Sequence, residues 1–595
     1  MKDLRPVHVY FWRYRWHLLG GIVFVMLSNW FRILQPQMLR QALDMVVENI
    51  SLYRMMNGSA LQSEMFKELS RSIMFFGATM LVLALLMGVF MYFMRQTIIV
   101  MSRLIEYDMR KQMFAHYERL DTAFYKRNNT GDLMARLTED VGKVRMYVGP
   151  AVLYGINLVS IFVLTVYSML QVNVELTLYS LAPLPILSLT IYYVSSLINR
   201  KSTRIQQQLA TLNSSAQEGY SGIRVVKSYV QEQPMTHFFE EQSNVFWSRS
   251  MEMGRVNAVF YPTMLLLIGL STLLTVYIGG LQVVQGNITP GNIAEFVIYV
   301  SMLTWPVTAI GWIASIVQQA AASQKRINEF LDTKPAIVNP VVDGEPSALK
   351  GTVSFENVTF RYPDTGILAL ENVSFDIKAG QKLAIIGRTG SGKSTIAELL
   401  IRMYDLTEGQ IKIDGKDVRE HDLGNLRSRV GYVPQDVFLF SDSVSGNIAF
   451  GRQDATDDMV REYAGYAAIR DELEALPQGF ETIVGERGVT LSGGQKQRVS
   501  IARALIKDPD IVLLDDCLSA VDTLTEKRIL TYLNESLHDK TAIIITHRIQ
   551  GLLAFDHILV LDEGRIVASG THEELLAQPG YYRDVFHQQE EKMVV

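Results

Sequence analysis

Cysteine is nearly absent. Cys517 stands alone in 595 residues, which excludes an intrachain disulfide, and its place just after an apolar strand reads as a small buried thiol rather than a redox or catalytic group. Net charge is slight as well, −5 over the whole chain, so no partner is implied by charge and nucleic-acid binding has no support. A cleavable signal peptide is missing, because the first apolar segment is full length and lacks a small-residue cleavage site; that segment is expected to stay as an anchor. Lys and Arg are absent from two short segments, 171–175 and 282–292, and their absence there bears on topology.

What the chain has in abundance is apolar sequence, all of it in one half. At 595 residues it is too long for a single core. Up to about residue 316 it carries long runs of Leu, Val, Ile, Met, Phe and Tyr, whereas 351–590 has the mixed composition of a soluble α/β domain. A spanning helix needs ~20 mostly apolar residues. Six segments qualify: 16–37, 72–94, 148–170, 176–197, 256–281 and 293–316. Lys2, Arg5, Arg13 and Arg15 precede the first; Arg95, Arg103, Arg110, Lys111, Lys126 and Arg127 follow the second; Arg200, Lys201 and Arg204 follow the fourth. With the Lys- and Arg-free loops outside, both termini and the soluble half are expected in the cytoplasm of a plasma (inner) membrane protein. The first outer loop, about 38–71, fits less well because it holds Arg40, Arg54, Lys67 and Arg71. Long charged stretches after the second and fourth spans keep helical periodicity, and hairpins of ~25-residue arms would reach ~35 Å into the cytoplasm. Their tips are expected near Asp121–Tyr125 and Tyr220–Ile223.

The soluble half opens with GTVSFENVTFRYPD, where Val353, Phe355 and Val358 alternate as in a strand that Tyr362 ends. LAIIGRTGSGKST, Leu383–Thr395, then satisfies G-x-x-x-x-G-K-[ST], directly after a buried-looking strand and before the helical IAELLIRMY. Gly387, Arg388, Thr389, Gly390, Ser391, Gly392, Lys393, Ser394 and Thr395 form the expected phosphate cradle for ATP. Backbone N–H groups and a helix N-terminus face the phosphates, Lys393 reaches the β and γ groups, and the Ser394 hydroxyl ligates Mg²⁺.

Residues 491–495 read LSGGQ, followed by KQRVSIARAL. With the phosphate loop in register, this resembles a half-transporter of the ATP-binding cassette superfamily, in the six-helix exporter group called type IV, over nearly the whole chain. The resemblance implies a multidomain membrane protein: a six-helix all-α transmembrane domain (1–316), a connector (317–350), an α/β P-loop nucleotide-binding domain (351–590) and a short tail (591–595). It also implies roles. Ser492, Gly493, Gly494 and Gln495 complete the ATP site of the opposite subunit, and Tyr362 stacks on adenine. Gln435, in GYVPQ, approaches Mg²⁺ and the attacking water. Asp515 holds Mg²⁺, Ser519–Asp522 cross to the other subunit, and His547 is the γ-phosphate switch. Glu486 in TIVGERG and the segment Gln217–Glu232 resemble exporter-specific coupling elements.

Asp516 departs from the pattern, since the general base at this position in the family is Glu. Losing one methylene withdraws the carboxylate by ~1 Å, a displacement that can cost ~100-fold, and general-base contributions are themselves ~10²- to 10⁴-fold. The expected arrangement is a heterodimer. This chain contributes a slow, ATP-retaining site and lends its intact signature to an active site whose Glu belongs to a different half-transporter. The alternatives are a homodimer with slow hydrolysis, a lipid or peptide exporter, or an ATP-gated channel or regulatory subunit. Channel relatives carry a long regulatory insertion for which 317–350 has no room. Tyr299, Met302, Trp305, Pro306, Trp312, Phe260, Tyr261 and Pro262 suit a hydrophobic or amphipathic small-molecule, lipid or peptide cargo. Arg32 is a charge inside the first span, and such a charge points to a partner or a pathway.

Overall fold

Helix length dominates the first half of the chain. A computed structural model describes residues 2–56, 58, 60–340, 348–485, 491–519, 521, 523–536, 539–548 and 555–594. It divides into two units, Met1–Tyr117 with Gly131–Thr333, and Glu118–Thr130 with Lys334–Val595. Among the described residues, six helical runs in the first unit are long and apolar enough to cross a membrane.

We label the main helices α1 (Arg15–Met55), α2 (Ala60–Tyr117), α3 (Val152–Val172), α4 (Pro183–Ser221), α5 (Glu232–Val284) and α6 (Pro290–Leu331). They overrun the apolar spans. The segment 38–71, read as an outer loop, is helical to Met55 and again from Ala60, because apolar residues continue at helical spacing past the hydrocarbon. Two of its charged residues, Arg40 and Asp44, are engaged by α6 and the turn before it. Arg40 pairs with buried Glu295 at 3.1 Å, while the Asp44 carboxylate accepts from the Thr289 hydroxyl at 2.7 Å and the Gly291 N–H at 2.8 Å, capping the start of α6. The helix α6 likewise runs past 316, since Ala320, Ile327 and Phe330 keep burying one face, with Ser323 bound to Asp140 at 2.8 Å. The run leading into α3 contains two π turns, Arg136–Asp140 and Tyr147–Ala151. The second holds Pro150, whose missing N–H disfavours an ordinary α turn there.

The arms α4 and α5 zip together through Gln208 and Gln242 (2.9 Å) and Lys201 and Glu252 (2.6 Å). Between them lies the short helix Ile223–Ser228. The tip it forms is bare within the single chain, with Tyr220 80%, Tyr229 72% and Val230 78% exposed.

The second unit contains two sheets. One is antiparallel, in the order β2 (Leu368–Ile377), β1 (Val353–Arg361), β4 (Glu408–Ile413), β5 (Lys416–Asp417). The other runs β10 (Arg565–Gly570), β9 (His557–Asp562), β3 (Lys382–Gly387), β8 (Thr541–Ile545), β7 (Ile511–Asp515), β6 (Val430–Val433). Its neighbours from β9 to β6 are parallel. Strands β3, β7 and β8 are apolar and buried along nearly their whole length, as parallel strands covered on both faces must be. Because β3, β8 and β7 are adjacent and parallel, whatever follows each of them emerges at one carboxyl edge, where open α/β sheets place ligands.

Candidate nucleotide site

Three chain segments meet at that edge: the loop after β3, the end of β7 and the turn after β8. The loop leads into α7 (Lys393–Leu400) and depends on glycine. Gly392 sits at φ 93°, and a Cβ there would lie 2.3 Å from the Ala369 carbonyl oxygen. Only glycine fits that approach. The Lys393 ammonium curls back to donate to the Gly387 and Arg388 carbonyls at 3.0 and 2.7 Å. Burial lowers its pKa against the pull of Asp516 and Asp515. These carbonyl bonds are ones a phosphate would displace.

Asp515 ends β7 with 2% exposure. Burial is the main force lifting its pKa to about 6; Asp516 and Glu398 add to the rise, while a hydrogen bond from Ser394 and the charge of Lys393 oppose it. Its Oδ1 has no hydrogen-bond partner, nor does the Ser391 hydroxyl. The open Asp515 oxygen beside the Ser394 hydroxyl is the kind of oxygen donor set a hard divalent cation takes. The residues present therefore fit Mg²⁺.

Asp516 follows with φ 44°, a left-handed conformation that Asp tolerates better than most residues, and its N–H donates to the Ile545 carbonyl at 2.9 Å. Burial raises its pKa, offset first by His547 and then by Lys393 and Arg548. His547 is lowered by burial and by Lys393, with Asp516 opposing. Lys393, Asp515, Asp516 and His547 thus form one electrostatic cluster. Gln435 is exposed, and among the described residues no hydrogen bond joins it to that cluster. Glu486 and Asp522 lie outside the described residues.

Tyr362 is placed at the same edge, its hydroxyl 2.9 Å from Thr395 Oγ1 and donating to Glu398 at 3.0 Å. Burial pushes its pKa well above the ordinary value. A residue outside every motif stands over it. Lys126, from the arm helix Thr122–Arg127, lies 5.1 Å from the ring centroids of both Tyr362 and Tyr404 and 3.8 Å from Glu398. Only the fold brings residue 126 to residues 362–404, and no local motif marks the meeting.

The signature residues are arranged differently. Ser492 caps α8 (Gly493–Leu505), its hydroxyl accepting from the Gln495 N–H while Gln495 accepts from the Ser492 N–H. Gln495 also donates to Glu472 at 3.0 Å, which grips Arg498. Ser492 and Gly493 are exposed, and among the described residues no hydrogen bond or ion pair links them to the phosphate loop.

Six membrane-spanning helices followed by a P-loop sheet unit with a second, open anion-binding helix start define a membrane-embedded, nucleotide-driven machine. Comparison with known proteins makes this specific. Residues 18–307 match the ABC transporter transmembrane region and residues 370–519 match ABC transporter. The chain is 36% identical over 574 residues to the probable multidrug resistance ABC transporter ATP-binding/permease protein YheI of Bacillus subtilis (strain 168), covering 96% of this chain and 94% of that one. Against the multidrug resistance-like ATP-binding protein MdlA of Escherichia coli (strain K12), identity is 37% over 86% of this chain and 87% of that one. The ATP-dependent lipid A-core flippase of Chromohalobacter salexigens is 34% identical, with coverages of 81% and 83%. A bacterial Atm1-family ABC exporter with ATP bound matches the fold with TM-score 0.76 and 26% identity, over 97% of this chain and 98% of that one.

The chain belongs to the ABC transporter family and has its type IV exporter fold. It is an integral multi-pass membrane protein with an ATP-binding unit that couples ATP hydrolysis to export. Exporters of this kind act as dimers with a second half-transporter.

Proposed function

We propose that this chain is the hydrolytically weak half of a heterodimeric exporter that moves hydrophobic or amphipathic molecules out through the plasma (inner) membrane, with both termini and the nucleotide unit cytoplasmic. The observation that carries the reading is Asp516. It occupies the family's glutamate position, while the LSGGQ helix start of the same chain is intact, capped and exposed. A partner supplying the missing glutamate would use that open helix. The bare arm tip at Tyr220–Val230 suits docking onto the same partner.

In the proposed cycle ATP sits on the phosphate loop, with Tyr362 stacking on the base, the Lys393 ammonium leaving the Gly387 and Arg388 carbonyls for phosphate oxygens, and His547 facing the γ-phosphate. Ser394 and Asp515 would hold Mg²⁺, with Gln435 approaching from its exposed segment. Held there, the ion would supply positive charge against the phosphate oxygens. Two nucleotides close the dimer, and differential affinity for the inward and outward states drives the helices. At this site Asp516 is too short to take the proton from water efficiently, so ATP is retained. The partner's glutamate does the hydrolysis that resets the pair.

The deciding experiment is to purify the tagged chain from its native membrane at native expression and measure the subunit masses. A second half-transporter with Glu at the matching position supports the reading. A self-dimer overturns it and makes Asp516 a slow but sufficient base.

A further inference from the structure

The geometry points to a binding site for amphipaths with an anionic headgroup inside the membrane unit, with Arg32 as the headgroup ligand. This deepens the export reading and depends on it only for the fate of the bound molecule.

Arg32 follows Asn29 by three residues and Ser28 by four, so all three share one face of α1. That face turns inward. Ser28 and Asn29 are buried, the Ser28 hydroxyl donating to the Met87 carbonyl at 3.3 Å and Asn29 Nδ2 to Asn157 Oδ1 at 3.0 Å. Arg32 therefore lines a cavity of about 430 Å³ together with Arg95, Met87, Tyr154 and Trp305, and no carboxylate is among the lining residues. Among the described residues, no hydrogen bond or ion pair engages Arg32.

Two turns further along α1 the protein treats a guanidinium in the opposite way. Arg40 is matched by Glu295 at 3.1 Å, and the other oxygen of that carboxylate accepts from the Tyr299 hydroxyl at 2.9 Å. Eight residues place Arg32 about 12 Å deeper than Arg40, so it does not share that carboxylate. A cation inside a span is costly unless paired, and among the described residues no carboxylate offsets Arg32. A transient anion would. Beside the polar side chains Ser28, Asn29, Gln35 and Asn157, the lining has an adaptable apolar part built from methionines and the Tyr154 and Trp305 rings, a surface that repacks around varied tails. Cationic head contact and soft apolar wall together select an anionic amphipath, whether it enters from the lipid or from the aqueous phase.

Trp305 supplies the readout. In the purified native complex in nanodiscs, bromododecyl phosphate and bromododecyl trimethylammonium present the same quenching tail on opposite charges, and a Trp305→Phe control isolates the Trp305 signal. The phosphate probe is expected to quench at least tenfold more tightly. Arg32→Gln should erase the preference, and Arg32→Lys should retain most of it. Equal quenching by both probes, or an unchanged preference in Arg32→Gln with Arg32→Lys folded and ATPase-active, overturns the proposal. Nanodiscs of tail-brominated phosphatidylglycerol against phosphatidylcholine assign the source. Quenching by the lipid alone that depends on Arg32 marks a membrane lipid, and quenching only by the added phosphate probe marks an aqueous amphipath; either outcome keeps Arg32 as the anion ligand. ATP-dependent uptake of an anionic and a matched cationic fluorescent amphipath into inverted vesicles separates the two claims: equal uptake of both removes the anion site alone, whereas anion binding without any ATP-dependent flux removes the export reading alone.

Discussion

Two helices of the nucleotide unit begin with backbone N–H groups set for an anion, and they are finished differently. The start of α7 is enclosed: Lys393 is folded onto its own loop, Asp515 and Asp516 stand behind it, and Tyr362 is bonded to Thr395. The start of α8 is capped by Ser492 and braced from behind by Glu472 and Arg498, and among the described residues no hydrogen bond or ion pair joins Ser492 or Gly493 to Lys393, Asp515, Asp516 or His547. Both would bind phosphate through the helix end. One has the groups that act on it; the other lacks them. A half-site of each kind in a single chain is what makes a partner necessary, and the difference can be attacked from either end.

The largest effect is expected at α8. Gly493→Asp puts a carboxylate where phosphate would sit, and losing such preorganised donors costs ~10²- to 10³-fold. ATPase and vesicle transport of the native complex should fall by that amount while azido-ATP labelling of this chain persists. Lys393→Ala should do the reverse, abolishing labelling of this chain but lowering transport by less than tenfold. Equal transport losses from the two changes would erase the distinction between the helix ends.

Next in size is Asp516→Glu, expected to raise turnover at this chain's own site by about 10- to 100-fold, the reverse of a general-base defect, as read in a complex whose partner glutamate is replaced by Gln. The backbone opposes the change modestly, because φ 44° suits Asp better than Glu, at a cost of roughly 1–2 kcal/mol. A complex that binds ATP and shows no gain would mean that reach is not what Asp516 lacks.

The comparison also explains what was legible in the sequence. The loop Gly387–Thr395, Asp515 and LSGGQ are contiguous motifs beside strands or helix starts, so local pattern carries them, and the six apolar spans carry the membrane unit. The limits of α1 and α6 were missed because apolar spacing continues after hydrophobicity falls, and a hydropathy criterion stops where the lipid does. Arg40 reads from the sequence as a lone loop charge, and its partner Glu295 lies 255 residues away, beyond any local pattern. Lys126 was read as one more cytoplasmic charge, since nothing near it in sequence hints at Tyr362, Tyr404 or Glu398. Long-range pairs of single side chains leave no periodic trace.

Lys126 gives a smaller, two-signed test at the enclosed end. If its ammonium competes with adenine for the Tyr362 face, Lys126→Met releases a contact worth about 0.5–1 kcal/mol, and ATP should bind this chain's loop about two- to fivefold more tightly in labelling titrations. Weaker binding would mean that Lys126 reaches for the nucleotide instead. Gln217→Ala at the base of the other arm's tip should leave that affinity unchanged.

The smallest effect is one of stability and is confined to the enclosed end. A carboxyl that titrates near 6 in the folded protein rather than at its ordinary 3.8 favours folding only when protonated. Its contribution is fully present below about pH 4 and is lost as pH rises through 6, leaving the nucleotide-free protein short by about 3 kcal/mol at neutral pH. Asp515→Asn keeps the shape without the charge. At pH 7.5 without nucleotide it should raise the apparent Tm by several degrees, the gain shrinking steadily as pH falls from 7 toward 4. Saturating Mg²⁺ and ATP should reverse the order, because the cation relieves the buried charge in the wild type and finds no carboxylate in the variant. A pH-independent gain would assign the effect to packing rather than ionisation. A gain that survives Mg²⁺ and ATP would remove Asp515 as the ligand, and with it the contrast between a furnished helix end and a bare one.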